Sequence, residues 1–99
     1  MSEVLLTLHC AVQDNDAVVE ALRGACQAPL HVRAEAVRGR DFGDAATGEK
    51  VTGELRRTAL EVMVAHEAVA ELLRCIEASR HQLPIRWRIT PIIDHGRIA

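Results

Sequence analysis

The chain has 99 residues, 48% of them hydrophobic, and its 12 Lys and Arg against 14 Asp and Glu give a formal net charge of -2. This length supports one hydrophobic core, so we expect a single domain over residues 1–99. The negative net charge and the presence of only one Phe and one Trp argue against nucleic acid as a partner. Proteins that bind nucleic acids neutralise phosphates with basic residues and stack bases on aromatic rings.

The first predicted strand and helix occupy the amino-terminal quarter of the chain. Residues 4–10 alternate as a half-buried strand does, with Val4, Leu6, Leu8 and Cys10 on one side and Leu5, Thr7 and His9 on the other. Asp14, Asn15 and Asp16 carry side-chain oxygens typical of a helix N-cap. Apolar residues then follow at helical spacing, so we predict a helix that ends before Pro29.

A second strand and a long loop are predicted next. Alternation returns over residues 30–37, with His31, Arg33 and Glu35 facing away from Leu30 and Val32. It disappears between Arg38 and Thr58, where four glycines are scattered among charged and small residues. We therefore predict a loop at about 38–58, and loops this long in a small domain are commonly functional.

The remaining elements are two strands and an amphipathic helix. Residues 60–65 alternate as a third strand, and a stripe at i, i+3, i+4 and i+7 predicts a helix packed on a sheet, formed by Val69, Leu72, Leu73 and Ile76. Alternation over residues 85–90 predicts a fourth strand, which Pro91 interrupts. The tail from Ile92 to Ala99 is a candidate for an additional edge strand.

This order predicts an α+β, ferredoxin-like βαββαβ fold, in which both helices cover one face of a four-stranded antiparallel sheet. The other face has no internal cover. We expect it to bury itself against copies of the chain, because Leu5 and Met63 would otherwise be uncovered. The alternative is a solvated face with cross-strand ion pairs, such as Glu61 with Arg86 or Arg88.

The cellular setting is predicted from the amino terminus and the cysteines. The start of the chain lacks the basic and apolar segments of a secretory signal, and no apolar stretch approaches the length that spans a bilayer. Cys10, Cys26 and Cys75 are odd in number and far apart, which favours reduced thiols. We expect a cytoplasmic protein without direct membrane insertion.

Two segments resemble a known family. They are Glu49-Lys50-Val51-Thr52-Gly53-Glu54-Leu55-Arg56-Arg57-Thr58, which leads into Leu60-Glu61-Val62, and the closing run from Trp87 to Ile98. Together with the element order they resemble the domain of unknown function 3240 family. That family lies within the PII-like superfamily, which includes the nitrogen regulatory PII and CutA-like proteins, and the resemblance covers nearly the whole chain.

The resemblance implies a non-enzymatic regulatory protein that forms a homotrimer with its open sheet faces at the centre. It also implies clefts between subunits and a loop after the second strand that contacts a partner, for which a membrane transporter, such as a heavy-metal efflux pump, is the candidate. Relatives bind adenine nucleotides or respond to metals. The sequence departs from the nucleotide-binding pattern after the second helix, where the basic segment is reduced to Arg80-His81-Gln82, so the ligand or cofactor is left open.

The candidate ligand and partner residues lie at the loop and the carboxyl terminus. Arginines near glycines can hold an anion in a cleft between subunits, which makes Arg38, Gly39, Arg40, Gly96 and Arg97 the predicted ligand site. The charged residues of the loop form the predicted partner surface: Asp41, Asp44, Glu49, Lys50, Arg56 and Arg57. The alternative for Arg97 is an ordinary surface salt bridge, and the alternative for the loop is a solvated connector without a partner.

A metal-binding module and an enzyme are the other functional alternatives. His9 and His31 share the predicted open face, where a threefold axis would bring copies of each together, although no Cys-x-x-Cys or His-x-x-x-His spacing is present. For catalysis, Cys10 and His9 point to opposite faces of a strand. Ser79 near His81 is typical of a helix end. We therefore predict no catalytic residues.

Overall fold

The computed structural model describes residues 2–39, 43, 47–48 and 53–99. Its main elements are β1 (Glu3–Ala11), α1 (Asn15–Ala25), β2 (His31–Val37), β3 (Leu55–Ala65), α2 (Val69–Glu77) and β4 (Arg86–Pro91). A single 3-10 turn leads into each helix, at Val12–Asp14 and at His66–Ala68. The predicted βαββαβ order is confirmed.

The four strands form one sheet in the order β2-β3-β1-β4, and every neighbouring pair is antiparallel. β1 and β3 are central. Leu6 lies opposite Val62 and Leu8 opposite Leu60, so two apolar runs meet on the same side of the sheet. This register follows from the alternation of both strands, because a slip by one residue would turn each apolar set towards the uncovered face.

The core lies between the sheet and the two helices. It consists of the inward residues of the central strands and one stripe from each helix: Val4, Leu6, Leu8, Cys10, Leu60, Val62 and Val64, with Val18, Leu22, Val69, Leu72 and Ile76. The helical members repeat three or four residues apart, which places them on one face. Burial of each leucine side chain contributes roughly 2 kcal/mol to folding. The predicted stripe of α2 is confirmed.

β3 begins earlier than predicted. It starts at Leu55, which lies opposite Val37 of β2, so the connection between these strands covers residues 38–54 instead of 38–58. Arg56 and Arg57, predicted to belong to a partner loop, are strand residues, and Arg57 is only 4% exposed. The two consecutive arginines hide the apolar alternation at the start of the strand, so the sequence pattern did not predict it. Pairing with β2 nevertheless extends β3 to Leu55.

The carboxylate of Asp14 does not cap α1. No side-chain hydrogen bond caps this helix, contrary to the prediction for Asp14, Asn15 and Asp16. Asp14 is 2% exposed, and it accepts hydrogen bonds from the backbone N–H groups of Gln82 at 2.8 Å and Leu83 at 3.0 Å. Asp14 therefore supplies hydrogen-bond acceptors for two backbone N–H groups in the connection between α2 and β4, a segment without a strand partner of its own.

The tail and the outer strand β2 are largely exposed in the described chain. Residues 92–99 form no strand, so the expected edge strand is wrong for this chain by itself. β2 borders only β3, and Val32 is 52% exposed although it lies opposite the buried Leu60. The helices cover the central strands and leave this edge open to solvent.

Candidate functional site on the open sheet face and at the loop base

The helix-free face of the sheet is positively charged, although the whole chain is negative. Strand alternation and register place on it four arginines and three glutamates: Arg33, Arg57, Arg86, Arg88, Glu3, Glu35 and Glu61. Leu5 and Met63 lie opposite each other on this face and are half-buried. The predicted division of residues between the two faces is confirmed for β1, β2 and β3.

Glu61 forms an ion pair with Arg33 of the adjacent strand. Arg33 Nη1 donates to Glu61 Oε1 at 2.6 Å, and the hydroxyl of Thr7 donates to Oε2 at 3.4 Å. The hydrogen bond from Arg33 is the main reason that the pKa of Glu61 lies below its usual range. Arg86 and Arg88, the partners suggested from the sequence, lie on β4, which is separated from β3 by β1.

The second polar contact on this face joins two strands that are not neighbours. His9 of β1 contacts the carboxylate of Glu35 of β2 through Nδ1, across β3. His31, the other predicted metal ligand, lies opposite Glu61. Among the described residues no group of three or more His, Cys, Asp and Glu side chains is arranged to hold a metal ion.

A cluster of two arginines and one glutamate lies where the chain leaves β2 and enters β3. Arg38 donates to Glu54 Oε1 through Nε at 3.2 Å and Nη2 at 3.1 Å. Arg56 Nη2 lies 3.7 Å from Oε2 of the same carboxylate. The cluster carries two positive charges and one negative charge at the base of the connection. Glu54 was not singled out from the sequence, because nothing local marks it as the shared partner.

Of the predicted ligand residues that the structure describes, Arg38 and Gly39 do not come together with Gly96 and Arg97 within one chain. Gly39 follows Arg38 and is exposed, whereas Arg40, Asp41, Asp44, Glu49 and Lys50 lie outside the described residues. Val37 lies opposite Leu55 near the end of β1, but Pro91 lies opposite Val4 near its beginning. Arg38 and the tail with Gly96 and Arg97 therefore leave from opposite corners of the sheet.

Ser79 and His81 are neighbours but lack the arrangement of a nucleophile with its base. The Ser79 hydroxyl donates to the backbone oxygen of Ile76 at 2.6 Å, so its proton is directed away from His81 Nδ1, which lies 3.0 Å from Oγ. The serine closes the last turn of α2, as predicted for a helix end. Cys10, beside His9 in sequence, is buried in the core.

The described strands and helices form an open-faced, ferredoxin-like βαββαβ sheet of the α+β class, with a charged cluster at the base of the connection between β2 and β3. The sequence profile of a family described as "Protein of unknown function (DUF3240)" matches residues 1–99. The chain belongs to the DUF3240 family. No curated protein matches it.

Solved structures show the same fold. A DUF3240 family protein from Shewanella baltica is 19% identical with a TM-score of 0.75, and the match covers 100% of this chain and 99% of that one. A proposed PII-like signalling protein from Thermus thermophilus is 16% identical with a TM-score of 0.54, over 94% of both chains. A Bacillus cereus protein related to NIF3 is 9% identical with a TM-score of 0.71, over 97% of this chain and 26% of its own length.

None of the helices formed by the described residues has the length and apolar content needed to cross a bilayer.

Proposed function

We propose that this chain is a non-enzymatic regulatory protein that forms a homotrimer and binds a small anionic ligand in clefts between its copies. The observation that carries this proposal is the separation of its arginines. Arg38 and Arg97 leave the sheet at opposite corners, so an anion site that uses both is completed only when two copies meet. The PII-like signalling neighbour supports a regulatory role.

The chemistry of the loop base suits phosphate or carboxylate. A guanidinium presents five N–H donors in a planar fork that matches such anions. Within the described residues, the bonds from Arg38 to Glu54 engage Nε and Nη2, which leaves Nη1 for a ligand. Gly39 follows directly and permits close approach to the backbone. Adenine nucleotides are the first ligands to test.

The helix-free sheet face supports assembly. Leu5 and Met63 are only half-buried on this face, and copies that meet there would cover them. The arginines on the face outnumber the glutamates, so assembly through it is expected to weaken at low salt, where repulsion between like charges is less screened.

The partner in this proposal is a membrane transporter, with a heavy-metal efflux pump as the candidate, and the setting is the cytoplasm. Cys10, Cys26 and Cys75 are free thiols, which agrees with a reducing compartment. Replacing residues 41–53 by a short Gly-Ser linker is expected to abolish transporter binding. The trimer is expected to persist, and an unfolded variant would contradict the assignment of the loop to partner binding.

Calorimetry with ATP, ADP and AMP, combined with sedimentation, tests the ligand site. Arg38→Ala and Arg97→Ala are each expected to weaken nucleotide binding about tenfold or more, which corresponds to the loss of a charge-assisted hydrogen bond. Arg74→Ala is the matched control, because Arg74 pairs with Glu71 on the surface of α2. A stable monomer, or equal binding by all three variants, would refute the proposal.

A zinc titration tests the metal alternative on the same protein. Binding that disappears in His9→Ala or His31→Ala, with no response to nucleotides, would replace the anion site by a metal-binding module. The nucleotide proposal expects no zinc isotherm that depends on these residues.

A further inference from the structure

The carboxylate of Glu54 lies between two guanidinium groups at the base of the connection between β2 and β3. Register explains why these groups meet. Val37 lies opposite Leu55, so the next positions along this pairing, Arg38 and Glu54, face each other. Arg56 follows two residues after Glu54 and therefore shares its side of β3. Two adjacent strands thus bring two arginines to one carboxylate.

These three side chains carry an excess of positive charge that faces solvent. Glu54 contributes one negative charge against the two positive charges of Arg38 and Arg56. Its carboxylate is 22% exposed, whereas the side chains of Arg38 and Arg56 are 81% and 76% exposed. An anion that arrives from solvent therefore meets two accessible guanidinium groups with a carboxylate already between them.

Glu54 holds the position from which an anion can contact both arginines. Its Oε1 accepts hydrogen bonds from Nε of Arg38 at 3.2 Å and from Nη2 at 3.1 Å. Its Oε2 lies 3.7 Å from Nη2 of Arg56. A ligand can reach Nη1 of Arg38 while the carboxylate stays in place. An anion bound by both arginines must take the position of the carboxylate and displace it.

We propose that Glu54 is an internal substitute for the ligand, and that a phosphoryl group binds between Arg38 and Arg56 by displacing its carboxylate. A phosphoryl group carries a charge of about −1.5 to −2 at pH 7 and three acceptor oxygens, which suits two guanidinium groups. A carboxylate ligand would only replace one single negative charge by another. This inference rests on the proposed anion site, and it names the ligand class, the second arginine and the group that limits affinity.

The displacement of Glu54 costs little free energy. Exposed ion pairs contribute weakly to stability, because water solvates the separated charges and two long side chains lose freedom in the pair. The carboxylate nevertheless competes for the arginines, and its charge repels an anion bound beside it. Loss of this charge is therefore expected to raise the affinity for a phosphoryl group about tenfold.

Calorimetry with AMP and with inorganic phosphate tests the competition. Glu54→Gln keeps the shape of the side chain and removes its charge, and it is expected to raise the affinity for the phosphoryl group about tenfold. Glu71→Gln is the matched control, because Glu71 pairs with Arg74 at 2.6 Å on the surface of α2. It should leave the affinity unchanged. Tighter binding of AMP than of inorganic phosphate identifies a nucleotide as the source of the group, and equal binding identifies free phosphate.

Arg56→Gln tests the second arginine. In the Glu54→Gln background it is expected to cancel most of the gain in affinity, and a gain that survives would overturn binding between the two arginines. Unchanged or weaker binding by Glu54→Gln, with wild type that binds AMP, would overturn this inference alone. Binding by Glu54→Gln but not by wild type would support it. If neither protein binds AMP or phosphate, the proposed function fails as well.

Discussion

His9 of β1 contacts Glu35 of β2 across the intervening strand β3, at the position where Ala59 lies opposite His9. Two strands that are not neighbours are about 10 Å apart, so their side chains meet only if the residue between them is small. Ala59 meets this condition, and it is 0% exposed on a face that no helix covers. The contact thus ties three strands together on the open side of the sheet.

Ala59→Leu is expected to break this contact, because the larger side chain fills the space over which His9 reaches Glu35. We expect the free energy of unfolding to fall by about 1–2 kcal/mol, typical of overpacking. Urea unfolding measures it, and Ala70→Leu on the exposed surface of α2 is the control. A double-mutant cycle of His9→Ala and Glu35→Ala that yields no coupling energy would contradict the role given to the pair.

Asp14→Ala is expected to destabilise the fold by about 3 kcal/mol, because it leaves two backbone N–H groups of the connection before β4 without their acceptor. Asp14→Asn, which keeps one acceptor oxygen, should cost roughly half as much. Asp16→Ala is the matched control, since Asp16 is an exposed carboxylate two residues further on. Equal stability of Asp14→Ala and Asp16→Ala would show that the buried carboxylate does not hold this connection.

The protein is expected to lose stability in acid because the pKa of Glu61 is lowered in the folded state. Its pKa is lowered from the ordinary value of 4.5, chiefly by the hydrogen bond from Arg33, so the unfolded chain takes up this proton at higher pH than the folded one. The stabilisation is therefore present above pH 4.5 and is lost as the pH falls through the lower pKa of the folded state. Glu61→Gln should make the acid limb of the stability profile shallower. Glu77→Gln should leave the slope of the acid limb unchanged. The prediction fails if the two variants have the same acid limb.

Cys10 is expected to be the least reactive thiol of the folded protein. Burial, followed by the charge of Asp14, raises the pKa of Cys10 from 9.0 to about 11. A rise of this size lowers the thiolate fraction near pH 8 about 100-fold. Because only the thiolate is nucleophilic, the reactivity of Cys10 falls with it. Iodoacetamide should label the half-buried Cys26 and Cys75 first, with Cys10 labelled only after unfolding. Mass spectrometry that finds equal labelling of Cys10 and Cys75 in the native state would refute this.

Local patterns in the sequence were sufficient to predict the order of the elements and the two faces of the sheet. Alternation places His9 and Leu5 opposite to Leu6 and Leu8, and the stripe of Val69, Leu72 and Ile76 identifies α2. Both patterns are local, because each depends only on the geometry of a strand or a helix.

Which polar groups contact each other follows from the fold and could not be predicted from local patterns. Strand order makes Arg33 the neighbour of Glu61, and it sets Arg38 and the tail with Arg97 at opposite corners. Asp14 binds a connection nearly seventy residues away in the chain instead of its own helix. Such contacts join segments that are distant in sequence, and they depend on strand order and register, which no local period contains.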